Sequence, residues 1–315
     1  MATFILTHRK AKATWNSEIK EGQSPSIQQQ ESTHLVTWDL LPEWHKDAPF
    51  IRSGYRSICH SSSACFRSML AIHNETVNIW THLVPALGFT FGIFLLQFAI
   101  HLYYPEASLV DRVVFGVNIF CAIVTLSLSS LYHTLMCHSE GVSSLWLRLD
   151  YIGILSLILG SFFSGIYAGF YCEPTYRTIY WGMIIIFSVT TANLVLNPRL
   201  QGLEYRALRT WAFILTALSG FAPIGHGLIL YGWNAMWVRS GMPYYFLEGS
   251  IYGLGAFFYL SRVPESIWPG RFDIWCSSHQ IFHVLVVLAA LAHLYGVWDS
   301  FRWYYQNQGV CLAQA

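Results

Sequence analysis

From residue 80 to residue 298 the chain is a succession of apolar blocks, each about 20 residues long, separated by short polar runs that carry Pro, Gly or charge. A helix of that length crosses roughly 30 Å of hydrocarbon. Seven spans are predicted, at 80–102, 113–136, 149–171, 178–197, 209–232, 244–263 and 277–298. The connections hold helix breakers, as in "YYPEAS", "CEPTY", "NPRLQG" and "VPESIWPG". Residues 1–48 read differently: they are polar, rich in Gln, Ser and Lys, and have no apolar run near Met1 of the kind a cleavable signal needs. They are expected to form a mobile tail. In the juxtamembrane stretch 49–79, "ACFRSMLAIHNETVNIW" spaces Phe66, Met69, Leu70 and His73 at helical intervals, which predicts a short amphipathic helix at the interface before the first span. The fold class is therefore an all-α membrane protein, a seven-transmembrane helix bundle over 80–298 with a short tail at 299–315.

Composition agrees. Hydrophobic residues make up 54% of the chain and charged residues only 11%, far from the usual quarter in soluble domains. The net charge of +1 comes with no basic run or stripe, which argues against a nucleic-acid partner. The seven cysteines, an odd number spread from Cys59 to Cys311, do not read as a disulfide framework, and the redox environment of Cys172 and Cys311 is left open. Fourteen Lys and Arg fall on the N-terminal side of the membrane and four on the other. Positive residues mark the cytoplasm, so the N-terminus is expected inside and the C-terminus outside, the reverse of G-protein-coupled receptors.

Ionisable side chains are costly in hydrocarbon and rare there unless they act, yet "SSHQIFHVLVVLAALAHLYG" carries three histidines. His279 and His283, four residues apart, share one face in the first two turns of the last span, so their imidazoles can share a metal. His293 lies roughly 15 Å further along the helix and on another face, and cannot join them. A catalytic zinc takes three protein ligands and leaves its fourth position to water. His133, near the end of span 2, and Asp150, in the first turn of span 3, lie at the same depth as the pair. Any one of these residues alone reads as a satisfied polar group in the bundle interior; four at a common level point to a metal. Asn78 and His82, four apart at the start of span 1, suit either support of a zinc histidine from behind or an ordinary interhelical hydrogen bond. A rival His/Cys site is conceivable, because Cys137 follows His133 by four and Cys276 precedes His279 by three, but it would strand His283 and Asp150. His226, Glu248 and His101 fall toward the outer half as packing, interface or ligand-entry positions, and Gly153, Gly160, Ser161 and Gly165 suit close helix contact.

The segments "HNETVNIWTHL", "LYHTLMCHSE", "LDYIGI" and "VPESIWPGRFDIWCSSHQIFHVLVV" resemble the signature segments of the progestin and adiponectin receptor family, which includes fungal Izh-type proteins and, more remotely, the haemolysin III group. The wider superfamily, with the alkaline ceramidases, carries Ser-x3-His, an Asp and His-x3-His, matched by Ser129 to His133, Asp150, and His279 to His283. The resemblance implies that the three histidines bind zinc, that Asp150 holds or activates a water, and that the substrate is a ceramide-like amide drawn from membrane lipid. Ser129, one turn from His133, could orient that water or meet a developing oxyanion, or simply bond back to its own helix.

Three other classes of function bear weighing. A retinal photoreceptor is excluded, since all four lysines precede the first span. A transporter is disfavoured by the few ionisable groups at mid-depth and the lack of a broken-helix pair. A ligand receptor with a purely structural zinc and an unknown extracellular protein ligand stays open beside a zinc-dependent lipid amide hydrolase in a multi-pass protein of the plasma membrane or an endomembrane.

Overall fold

The computed structural model describes residues 35–307 and Cys311. Among the described residues the chain is mostly helical. A small antiparallel pair, β1 (Leu35–Val36) and β2 (Tyr55–Arg56), precedes α1 (Ser62–Ser68). Then follow α2 (Thr76–Tyr103), α3 (Leu109–Leu135), α4 (Glu140–Gly169), α5 (Pro174–Val195), α6 (Arg206–Leu218), α7 (Phe221–Arg239), α8 (Met242–Ser261) and α9 (Ser278–Gln306). Six helical stretches are long and apolar enough to cross a membrane: α2, α3, α4, α5, the stretch Leu203–Arg239 that holds α6 and α7, and α9. The chain is an integral, multi-pass membrane protein.

Local chemistry sets the helix ends. Ser108 and Asp111 form a reciprocal capping box at the start of α3, Ser277 and Gln280 do the same for α9, and Pro174 opens α5 where its missing N–H costs nothing. The flanks of α2 that face outward carry large apolar side chains such as Leu87, Phe91, Phe94 and Phe98, while the interior holds small and polar ones such as Thr125, Ser129, Ser130 and Ser164. That inversion suits a solvent of lipid tails, in which association relies on close packing and interhelical hydrogen bonds. Between α3 and α4 a Cβ at Gly160 would stand 2.6 Å from Cys121 Cβ, and one at Gly153 3.2 Å from Thr125 Cα. The two backbones thus touch, and Thr125 Oγ1 donates to the Gly153 carbonyl at 2.7 Å. This contact packs the middle of α3 against the middle of α4.

Several expectations need correction. Residues 35–48, assigned to the polar tail, are folded: Leu41, Ile51 and Tyr55 form a small core with Trp38 against it. The tail up to residue 34 lies outside the described residues. The juxtamembrane amphipathic helix is shorter than its apolar spacing implied, because α1 ends at Ser68 and the chain then turns. Phe66 and Leu70 are exposed, but His73 is fully buried, so these residues share no face. The predicted span 209–232 is two helices, α6 and α7, parted at Ser219 and Gly220 ahead of Pro223, with Gly232 at φ 78° interrupting α7 again. The last helix runs to Gln306, past the predicted end at 298. Finally, Cys172 at the α4–α5 turn is disulfide-bonded to Cys311, a pairing that an odd cysteine count had hidden.

The segment before α2 is tied to the loop before α9. Asp273 accepts from the Arg52 backbone N–H at 2.9 Å and the Ser53 hydroxyl at 2.7 Å, Gly270 N–H donates to the Phe50 carbonyl at 3.0 Å, and Asn74 N–H to the Gly54 carbonyl at 2.9 Å. These bonds close the bundle end where the histidines gather.

Candidate metal centre

His133 sits on the last turn of α3, His279 and His283 on the first two turns of α9. Their ring nitrogens converge: one ligand atom from each lies within 4.8 Å of the others, with His279 Nε2 3.3 Å from His133 Nε2 and 3.2 Å from His283 Nε2. The groups behind them set the tautomers. His133 Nδ1 lies 2.8 Å from a carboxylate oxygen of Glu75, and His283 Nδ1 lies 3.1 Å from the Asn78 carbonyl oxygen. Both partners only accept, so both Nδ1 atoms carry the proton and both Nε2 atoms present lone pairs. A single N–H on His279 cannot satisfy two inward-pointing lone pairs with its own Nε2 in the same place. The residues therefore fit a cation at their centre, and three imidazole nitrogens are a zinc-type donor set.

The supporting residues come from four parts of the chain. Glu75, one residue ahead of α2, also accepts from Asn78 Nδ2 at 2.6 Å and Asn74 Nδ2 at 3.0 Å. Burial alone would raise its carboxyl, but hydrogen bonds from His133 and Asn78 and the nearby Arg56 charge hold it below the usual carboxylate range. Arg56 is itself buried and donates to the His133 and Thr134 carbonyls at 2.5 and 2.9 Å, fixing the end of α3. His82 stacks on His283 with ring centroids 3.8 Å apart, and its Nε2 lies 3.3 Å from the His283 carbonyl oxygen. At the start of α9, Glu265 accepts from Ser278 through both its backbone N–H and its hydroxyl, and Gln280 Nε2 donates to the Ile274 carbonyl at 2.8 Å. A carboxylate at a helix N-terminus is favoured by the exposed N–H groups there, and this one anchors the turn that carries His279.

Asp150 stands outside the group whose ligand atoms gather within 4.8 Å. It lines the adjoining cavity together with Ser129, one helix over. The cavity, of about 1290 Å³, runs from these residues past Phe282, Val286 and Phe162 to His293 and Met242 at the other end of the bundle. His293 is separate from the cluster: its Nδ1 lies 2.7 Å from Glu248 and its Nε2 2.8 Å from the Ser164 hydroxyl. His226 pairs with the Tyr180 hydroxyl at 3.0 Å. The rival His/Cys arrangement does not form, since Cys276 is exposed and Cys137 groups with other cysteines. Sequence reasoning missed Glu75 and Arg56. A signal for Glu75 was present: Glu75, Asn78 and His82 recur at i, i+3 and i+7, one polar stripe at the head of an apolar span.

Fold and site together define a polytopic helical membrane protein with a polar, metal-competent centre at one end of an apolar cavity. Residues 70–294 match the haemolysin-III related family, and the chain belongs to that family, in its adiponectin receptor-like branch. It is similar to the ADIPOR-like receptor IZH2 of Saccharomyces cerevisiae, 37% identical over 268 residues that cover 85% of this chain and 84% of that protein. It is also similar to the adiponectin receptor protein of Drosophila melanogaster, 40% identical over 257 residues, and to the progestin and adipoQ receptor-like protein 1 of Caenorhabditis elegans, 36% identical over 287 residues. Those matches cover 82% and 89% of this chain but only 57% and 65% of the fly and nematode proteins.

Proposed function

We propose that this chain is a seven-crossing, zinc-dependent hydrolase of ceramide-like lipid amides, with its N-terminus in the cytoplasm and its metal centre at the cytoplasmic end. The observation that carries the reading is the convergence of three imidazole nitrogens, two with tautomers set by Glu75 and Asn78, at the mouth of an apolar cavity that also holds an acid. The 20 residues of α8, long enough to span about 30 Å, supply the seventh crossing. A disulfide between Cys172 and Cys311 supports the orientation, because such bonds persist on the oxidising side of a membrane while the histidine end holds free thiols.

His133, His279 and His283 would hold the zinc. Zinc in such a ligand set acidifies water and polarises a carbonyl. Asp150 takes the proton as the water oxygen joins the amide carbon, then returns it to the nitrogen as the C–N bond breaks, releasing a fatty acid and an amine. Ser129, on the same cavity wall one helix over, positions the carboxylate. The apolar cavity accepts the acyl chain from lipid. A second reading, a ligand receptor with a structural zinc and a protein ligand on the outer face, draws on the receptor names of the relatives.

The test compares wild type with the His279→Ala/His283→Ala form for bound zinc and for fatty acid released from ceramide. The expected result is loss of both. Zinc retained by the double variant defeats the ligand assignment, and zinc-loaded wild type that releases nothing leaves the receptor reading.

A further inference from the structure

A second cluster with metal-ligand chemistry lies near the first and shares no ligand with it. Cys59, between β2 and α1, Cys65, on α1, and Cys137, just past the end of α3, bring their Sγ atoms within 4.8 Å of one another. Cys65 Sγ lies 3.3 Å from Cys59 Sγ and 3.6 Å from Cys137 Sγ. Three sulfurs on a tetrahedral zinc with bonds of about 2.3 Å would sit about 3.8 Å apart, so small side-chain rotations close the set around a cation. None of the three is in a disulfide.

The backbone holds this geometry. Cys59 N–H donates to the Cys137 carbonyl and His60 N–H to the His138 carbonyl, both at 3.1 Å, so two Cys-His dipeptides 78 residues apart are held side by side. Leu135, Val142 and Trp146 cover the sulfurs on their apolar side. Buried thiols can pack simply as small hydrophobes. Three of them at mutual contact, pinned from both backbones and near the buried Arg56 guanidinium, make a better trithiolate, since the cationic charge offsets the net negative charge of three thiolates on a divalent ion.

We propose that Cys59, Cys65 and Cys137 bind a thiophilic divalent cation of the zinc type, forming a clamp between the pre-membrane segment and the end of α3. Cys137 lies one turn beyond His133, and Arg56 bonds the carbonyls of His133 and Thr134. The clamp therefore holds in place the helix end that carries a histidine of the proposed metal centre. Its reduced state rests on the cytoplasmic placement proposed above.

The test uses full-length protein loaded with zinc alone or with Co²⁺ alone. Relative to wild type, Cys59→Ser/Cys137→Ser should bind about half the zinc, and the Co²⁺ form should lose the near-ultraviolet sulfur-to-metal absorption that wild type shows. The His279→Ala/His283→Ala form should keep that absorption, because imidazole ligands do not produce it, so this result is independent of the histidine centre. Wild type lacking the absorption, or a cysteine variant with undiminished zinc, overturns the proposal. Should the variant fold poorly, zinc-loaded wild type serves instead: stripping by a chelator should expose additional thiols to maleimide, and unchanged labelling overturns the clamp.

Discussion

Replacing Glu75 with Gln isolates the charge that holds His133. In the native arrangement one Glu75 oxygen accepts from both His133 Nδ1 and Asn78 Nδ2, at 2.8 and 2.6 Å, and the other accepts from Asn74 Nδ2 at 3.0 Å. A glutamine amide has only one oxygen, so neither orientation satisfies the three donors. With its oxygen toward His133 it turns its NH₂ on Asn74; flipped, it turns NH₂ on His133 and favours the tautomer whose Nε2 is protonated and cannot ligate. The first orientation exchanges a charged acceptor for a neutral one, a loss of roughly 1–1.5 kcal/mol, or about tenfold in metal affinity. The second adds the cost of the wrong tautomer, so the expected weakening is about 10- to 100-fold, as for other groups that orient metal histidines. Chelator competition for zinc in detergent-solubilised protein measures it, with thermal unfolding of the metal-free forms as a check on folding. A Glu75→Gln protein that folds and binds zinc within about twofold of wild type would refute the claim that Glu75 sets the His133 tautomer.

Other perturbations probe the frame. Gly241 adopts φ +71°, and an added Cβ would collide with the Gly296 carbonyl across the α8–α9 hairpin. Gly241→Ala should therefore cost more than the roughly 1–2 kcal/mol of left-handed strain, seen as a lowered Tm or loss of folded protein; a wild-type Tm would contradict the close approach. Burial, with help from the Arg56 charge, lowers His73 from 6.5 to about 4, and its Nδ1 accepts from the Glu75 N–H. The unfolded chain takes up that proton near pH 6.5 while the folded one resists it, so roughly 3 kcal/mol of stability is present above pH 6.5 and lost as pH falls toward 4. His73→Gln should flatten the slope of Tm against pH in that window, and parallel slopes for the two proteins would count against it. Cys276 is exposed at the histidine end; in intact cells a membrane-impermeant maleimide should miss it until permeabilisation, while Cys172 and Cys311 should react from outside after reduction. Labelling of Cys276 in intact cells would invert the proposed orientation.

Much of the architecture is legible in one dimension. Crossing a bilayer requires a minimum run of apolar residues, and helical pairing of ligands requires a spacing of four; both are properties of a short stretch of chain. The long apolar spans and the His279–His283 pair were readable for that reason, and His133 and Asp150 followed from a shared depth rather than a shared motif. Periodicity misled where one apolar pattern is served by two structures. In the span predicted at 209–232 the break falls at Ser219–Gly220, and the juxtamembrane pattern ends in a turn at Ser68 that buries His73.

What tertiary structure alone decided are the partnerships between distant residues. Glu75 meets His133 across 58 residues, Cys59 meets Cys137 across 78 and Cys172 meets Cys311 across 139. No spacing encodes such pairs, because they form only once helices pack and the segment before α2 folds across the bundle end. By itself the amino-acid order set which stretches are apolar enough to cross a membrane and which side chains are chemically able to ligate; packing chose their neighbours, and with them the tautomers, the charges and the cavity that give those side chains something to do.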